Sequence, residues 1–253
     1  MPRYPLPSAQ NEGSQEREIP MVGTHVTIAA TNSGKFDSYV ASPMSEKGAG
    51  VVIVSTISGV DSDMTHYADA LAAEGFVASA PDMFWRDADS GPLPWTDDGR
   101  KRAFARNDRY DLELGMTDLA DAIANLKKHP RCNGKVAVVG FCFGGPFALL
   151  AAARYGTNAG ISFHGSHVEN HLDELDGVRC PLSFHYGDRD EVAPMTAIER
   201  IREAFGRLAD AKVYVYPGAG HGFMTMTRGH GYIESVARSA WARALEVLRK
   251  LQA

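Results

Sequence analysis

The sequence predicts an α/β fold: a mostly parallel, doubly wound sheet of about eight strands with helices on both faces. Three observations carry that expectation. Short apolar runs recur at 25–30, 36–41, 51–56, 76–80, 136–141, 160–164, 182–186 and 213–216, and several are near-continuous in Val, Ile, Ala and Phe. That is the pattern of strands buried on both faces. Stretches with helical spacing fall between them at 64–74, 112–128, 146–155, 194–208 and 232–251, and such alternation implies βαβ crossovers. The chain has 253 residues, 44% hydrophobic and 23% charged, enough for one large core.

Taken in order, residues 1–20 are rich in Pro, Glu, Gln and Ser and lack the apolar centre of a signal peptide. They are expected to form a surface arm or a disordered tail, with the cytoplasm as location, and residues 21–253 a single domain. Two strands open the chain before any helix, which predicts an antiparallel sheet edge. Asp61, Ser62 and Asp63 are N-cap candidates for the first helix. The segment 82–110 is the main irregular stretch and holds Phe84, Trp85, Arg86, Trp95 and the run Arg100, Lys101, Arg102. Long irregular segments are commonly functional, and this one is placed over the site as a partial wall. Phe84, Trp85 and, further on, Phe223 are candidate pocket-lining residues.

The net charge is −5, so no basic footprint points to nucleic acid. No apolar run approaches the ~20 residues of a membrane span. Cys132, Cys142 and Cys180 are widely spaced and odd in number, which argues against a disulfide framework. Cys132 lies in a turn-like stretch and Cys180 precedes Pro181 at a strand start; both read as structural. His164, His167 and His171 form no known metal-ligand spacing, and no Cys or carboxylate set completes them. His164 closes a strand near the expected pocket and could touch substrate.

The chemistry centres on Gly140-Phe141-Cys142-Phe143-Gly144-Gly145, which follows the apolar run 135–139 and precedes the helical run 146–153. A strand, a Gly-x-nucleophile-x-Gly turn and a helix make the nucleophile elbow of the α/β-hydrolase fold, here with cysteine in place of serine. A thiol at a helix N-terminus meets a partial positive charge that favours the thiolate. Chain order in that fold is nucleophile, acid, histidine. The loop 187–194, after the strand at 182–186, carries Asp188 and Asp190; the loop 217–223 carries His221 in a Gly-rich turn. An acid from the first loop and His221 could meet beside Cys142, and either Asp could instead cap the helix beginning near Pro194.

At these residues the chain resembles the dienelactone hydrolase (carboxymethylenebutenolidase) family of cysteine α/β-hydrolases. The likeness runs from about Val51 to the C-terminus. It covers Gly59-Val60, Pro81-Asp82, Asn133-Gly134-Lys135-Val136, the elbow, Asp190 with Pro194, and Ala219-Gly220-His221-Gly222-Phe223. The resemblance implies a Cys142–Asp190–His221 triad, hydrolysis of a small-molecule ester or lactone through a thioester, and no metal or organic cofactor. It also implies an oxyanion hole from the backbone N–H groups of Ile57 and Phe143. Such donors stabilise the charge developing on a carbonyl oxygen, and losing one costs ~3 kcal/mol. Two positions depart from the family pattern. Thr56 stands where the family carries a glutamate that helps switch on the thiol. Arg100 matches the first of two carboxylate-gripping arginines, whereas Thr225 stands at the second and Arg228 lies three residues on. Arg100 and Thr56 join Phe84, Trp85 and Phe223 as expected substrate contacts. The other readings are a general carboxylesterase, thioesterase or acyltransferase on the same scaffold, and a non-catalytic relative that binds a small ligand. The assembly is expected to be a monomer or homodimer.

Overall fold

The computed structural model describes residues 23–44 and 46–252; the N-terminal arm expected at 1–20 lies outside them. Among the described residues, eight strands form one sheet in the order β1-β2-β4-β3-β5-β6-β7-β8. They are β1 Thr24–Ala29, β2 Lys35–Ala41, β3 Gly48–Val54, β4 Val77–Pro81, β5 Cys132–Phe141, β6 Ala159–Phe163, β7 Leu182–Arg189 and β8 Ala211–Gly220. β1 and β2 pair antiparallel, and so do β2 and β4. Every pairing from β4 through β8 is parallel, as expected of a doubly wound sheet with an antiparallel edge. Cys132 opens β5 rather than sitting in a turn.

Helices α1 Ser62–Ala73, α2 Asp97–Asp108, α3 Leu112–Lys127, α4 Gly145–Arg154, α5 Met195–Phe205 and α6 Glu234–Arg249 flank the sheet. All seven residues of β3 are buried, and their alternation divides the core. Val52 and Val54 join Leu119, Ile123, Phe147, Ile198 and Ile201, so α3, α4 and α5 cover one face. Val51 and Ile53 join Met64, Leu71, Trp241 and Leu245, so α1 and α6 cover the other. The period-two geometry of a strand forces this: neighbouring side chains point to opposite faces, and both need an apolar partner. Asp61 caps α1, accepting from the amides of Asp63 and Met64.

The segment 82–110 differs from the sequence expectation, because its second half is α2. Only Gly99, Ala103 and Arg106 of that helix are buried. The inward positions keep helical spacing, but of the residues there only the small Ala103 is hydrophobic. A hydrophobic stripe is therefore missing, and with it the usual sequence signal.

Candidate active site

The carboxyl ends of β5, β6, β7 and β8 converge on one place, and each delivers a chemistry-bearing group there. β5 ends at Phe141, Cys142–Gly144 form a single 3₁₀ turn, and α4 begins at Gly145. Cys142 takes φ +51°, a left-handed conformation that non-glycine residues rarely adopt. Tight packing at the glycines holds it. A Cβ on Gly140 would collide with the Gly144 carbonyl, and one on Gly144 would lie 2.9 Å from the Val54 Cβ. The bend is thus pressed against β3 and aims the thiol out of the sheet.

His221 lies just past β8 and Asp190 just past β7. The Cys142 Sγ and His221 Nε2 are 3.1 Å apart. On the far side of the ring, His221 Nδ1 lies 2.9 and 3.0 Å from the two Asp190 carboxylate oxygens. The Asp190 side chain has no exposure and that of His221 is 8% exposed. Asp190 Oδ1 also accepts from the amides of Val192 and Ala193, each at 2.9 Å. Asp188, the other acid of the loop, instead accepts from the Gly218 amide at 2.6 Å. Of the two open alternatives, Asp190 meets His221 while also bonding the loop amides ahead of α5.

Burial pushes the Cys142 thiol up. The His221 charge and hydrogen bonds from His221, Ser166 and the Phe143 amide outweigh it, so the thiol lies below its ordinary range. Burial pushes His221 down, and the Cys142 thiolate with the Asp190 carboxylate overcome it, raising His221 to about 10. The two shifts share one cause: thiolate and imidazolium each favour the charged form of the other. Ser166, after β6, places its Oγ 3.4 Å from the sulfur, a contact the sequence reading missed.

The remaining expected site residues divide. Phe143 is half-buried among Phe84, Tyr110 and Phe147, with ring centroids 4.8, 4.8 and 5.1 Å away, and its amide faces the sulfur. Ile57 lies in the turn after β3, where the Gly59 amide bonds back to the Thr56 carbonyl at 3.0 Å. Thr56 is buried, and its hydroxyl accepts from the Ser58 amide at 3.1 Å; it shapes this turn. Phe84 is 1% exposed and Phe223 fully buried, so both belong to the core. Trp85 stacks on Phe36 at 5.8 Å and donates to Asp118 at 2.8 Å. Arg100 is exposed on α2. Arg228 stands closer to the chemistry: its Nη1 donates to the His221 carbonyl at 3.1 Å, and its guanidinium lies 5.7 Å from the Trp95 ring.

Arg106 was absent from the sequence reading and is 1% exposed. Its Nε and Nη2 donate to the Ile57 carbonyl at 3.0 and 2.7 Å, and its Nη1 to the carbonyls of Asp89 and Gly91 at 2.8 and 2.7 Å. The Leu93 amide adds a 2.8 Å bond to the Ser58 carbonyl. The turn holding Ile57 is therefore stitched to the segment ahead of α2. His164 likewise gave only a weak signal. It follows β6 with φ +40°, its ring 4.9 Å from that of His221.

Among the described residues, no helix is long and apolar enough to cross a membrane. A sequence profile of the dienelactone hydrolase family matches residues 36–252. The chain is 32% identical over 233 residues to a carboxymethylenebutenolidase of Pseudomonas putida, covering 92% of this chain and 98% of the relative. It is 30% identical to carboxymethylenebutenolidase 1 of Cupriavidus pinatubonensis, with 92% and 99% covered. Among solved structures, a dienelactone hydrolase from Anabaena variabilis superposes with TM-score 0.68 at 19% identity, covering 91% of this chain and 98% of that one. A dienelactone hydrolase-like promiscuous phosphotriesterase from metagenomic libraries superposes with TM-score 0.75 at 22% identity, with 92% and 100% covered. These two likenesses bear on the fold, which is that of the α/β-hydrolases.

Proposed function

This chain belongs to the dienelactone hydrolase family and is a hydrolase of ester or lactone bonds; from that premise we propose that Cys142, His221 and Asp190 form its catalytic triad and that the reaction passes through a thioester. The observation that carries the proposal is the unbroken line from the Cys142 sulfur through both nitrogens of His221 to a fully buried Asp190. The Cys142 thiolate attacks the carbonyl carbon, and the carbonyl π electrons move onto oxygen. The Phe143 and Ile57 amides receive that charge. The tetrahedral centre collapses, the C–O bond breaks, and His221 Nε2 gives its proton to the leaving alkoxide. His221 then takes a proton from water as the hydroxide attacks the thioester, and acid and thiolate leave. Asp190 holds the ring with Nε2 toward sulfur and favours the imidazolium.

The family's glutamate at Thr56 is not needed in this scheme. The thiol is already lowered by His221, Ser166 and the Phe143 amide, whereas Thr56 spends its hydroxyl on the turn. The substrate proposed is a small ester or lactone. The test is hydrolysis of an aryl ester by wild type and Cys142→Ala, with mass spectrometry of the quenched wild-type reaction. Loss of turnover in the variant and a mass gain of one acyl group on the peptide carrying Cys142 are expected. Unchanged turnover by Cys142→Ala would refute the nucleophile.

A further inference from the structure

His164 is a buried histidine that the proposed reaction does not use. It is 1% exposed, and among the described residues neither ring nitrogen has a hydrogen-bond partner outside its own residue. A buried imidazole normally satisfies at least one nitrogen. The surroundings of this one offer the edge of Phe223 at 5.4 Å, Phe141 at 6.3 Å and the His221 ring at 4.9 Å. One nitrogen of His164, the Cys142 sulfur and one nitrogen of His221 all lie within 4.8 Å of one another.

We propose that Cys142, His164 and His221 form a binding site for a thiophilic divalent cation, Zn²⁺ above all, and that the ion reversibly silences the enzyme. One thiolate and two imidazoles are a set that zinc favours. Zinc bonds of about 2.3 Å to sulfur and 2.0–2.1 Å to nitrogen at a tetrahedral angle put ligand atoms about 3.3–3.6 Å apart. The sulfur–His221 distance of 3.1 Å must open slightly, and a pair at up to 4.8 Å must close by about 1.2–1.5 Å to meet those bond lengths. The outer shell already exists: Asp190 on His221 Nδ1 is the carboxylate–histidine arrangement that orients zinc-bound imidazoles. Cys142 itself is partly exposed.

Binding displaces the proton shared between sulfur and His221, so one proton is released per ion. Asp190 draws the cation in and Arg228, at the His221 carbonyl, opposes it. With its lone pairs on the metal, the sulfur cannot attack a carbonyl and His221 cannot shuttle protons. The ligand set stands on geometry alone, whereas the silencing rests on the proposed roles of Cys142 and His221.

The test uses the full chain, reduced and stripped of metal. Co²⁺ is added and then displaced by Zn²⁺, following thiolate-to-cobalt charge-transfer absorption, and zinc-edge X-ray absorption of the wild-type complex counts its ligands. One sulfur and two imidazole nitrogens are expected, together with loss of ester hydrolysis and of iodoacetamide labelling at Cys142, both restored by a chelator. His164→Phe and His164→Gln should each weaken Zn²⁺ at least ten-fold, read as the shift in inhibition relative to each variant's own metal-free rate. A zinc environment of one sulfur and one imidazole in wild type overturns the site. So does wild-type zinc affinity in either variant, or no metal retained from a stoichiometric mixture. These readouts concern the metal; the proposed reaction fails separately if metal-free Cys142→Ala still turns over.

Discussion

Replacing Arg106 with methionine removes the tie between the turn holding Ile57 and the segment ahead of α2 while keeping an unbranched apolar stem. In the wild type one guanidinium serves three carbonyls through four contacts of 2.7–3.0 Å and packs 4.1 Å over the Phe84 ring. Methionine leaves three acceptors without that donor, at roughly 1–3 kcal/mol each when buried. Burial penalises the charge, and Arg106 is held below the usual arginine range for that reason. Removing the charge recovers part of its desolvation cost, so the low end, about 3 kcal/mol, is expected. For a domain of this size that corresponds to a fall in Tm of about 6–12 °C. The catalytic effect follows from position. The Ile57 amide, the proposed second oxyanion donor, is one peptide from the clamped carbonyl, and outright loss of such a donor costs about 10²–10³ in kcat. A displaced donor should cost less, about 10–100-fold, with KM little changed, because the interaction matters most as the oxyanion forms. Thermal unfolding by circular dichroism and steady-state aryl ester hydrolysis read both numbers. A Tm change below about 2 °C would refute the clamp. A full stability loss with unchanged kcat would show that Arg106 holds the wall and not the Ile57 amide.

Two further outcomes follow. Cys142 should react with iodoacetamide at neutral pH far faster than Cys180, whose burial raises it to about 11. Because the Cys142 thiol is lowered by His221, its labelling should persist as pH falls through the range where an ordinary thiol protonates. His221→Ala removes the lowering charge and leaves burial, so the midpoint should move to higher pH; an unmoved midpoint would contradict the ion pair. Arg228→Met should slow an acidic ester more than a neutral ester of equal size, by about ten-fold if one charge-assisted contact of 1.4 kcal/mol is lost. Arg100→Ala, exposed on α2, should affect the two alike; the reverse ranking would return substrate recognition to Arg100.

The chain's local signals sufficed for the sheet and the elbow. Continuous Val, Ile and Ala runs cannot be solvated, so β3 and β5 declare themselves wherever they lie in the sheet. The Gly140–Gly145 pattern specifies a bend that few other residues could make. Thr96 capping the Gly99 amide, followed by Asp97 and Asp98, was a readable helix start; α2 escaped notice because its inward face is Gly99, Ala103 and Arg106, and no apolar stripe announces it. The residues favoured Asp190 beside His221 but left Asp188 open, and the resemblance pointed to Asp190. Asp188 sits two residues away, and the register with β8 shifts between Gly187 and Arg189, so alternation along the strand gives no answer.

What the amino-acid order determined by itself was therefore the sheet, the bend at Cys142 and the types of group at strand ends, since each depends on a few neighbouring residues and their contact with water. What only the folded chain decided was which groups touch. Arg106 reaches Ile57 across 49 positions of sequence, and His164 comes to Cys142 and His221 because β6 lies beside β5 in the sheet. Those meetings arise from strand order and close packing, which bring distant segments within a few ångströms and leave no trace in any short window of sequence.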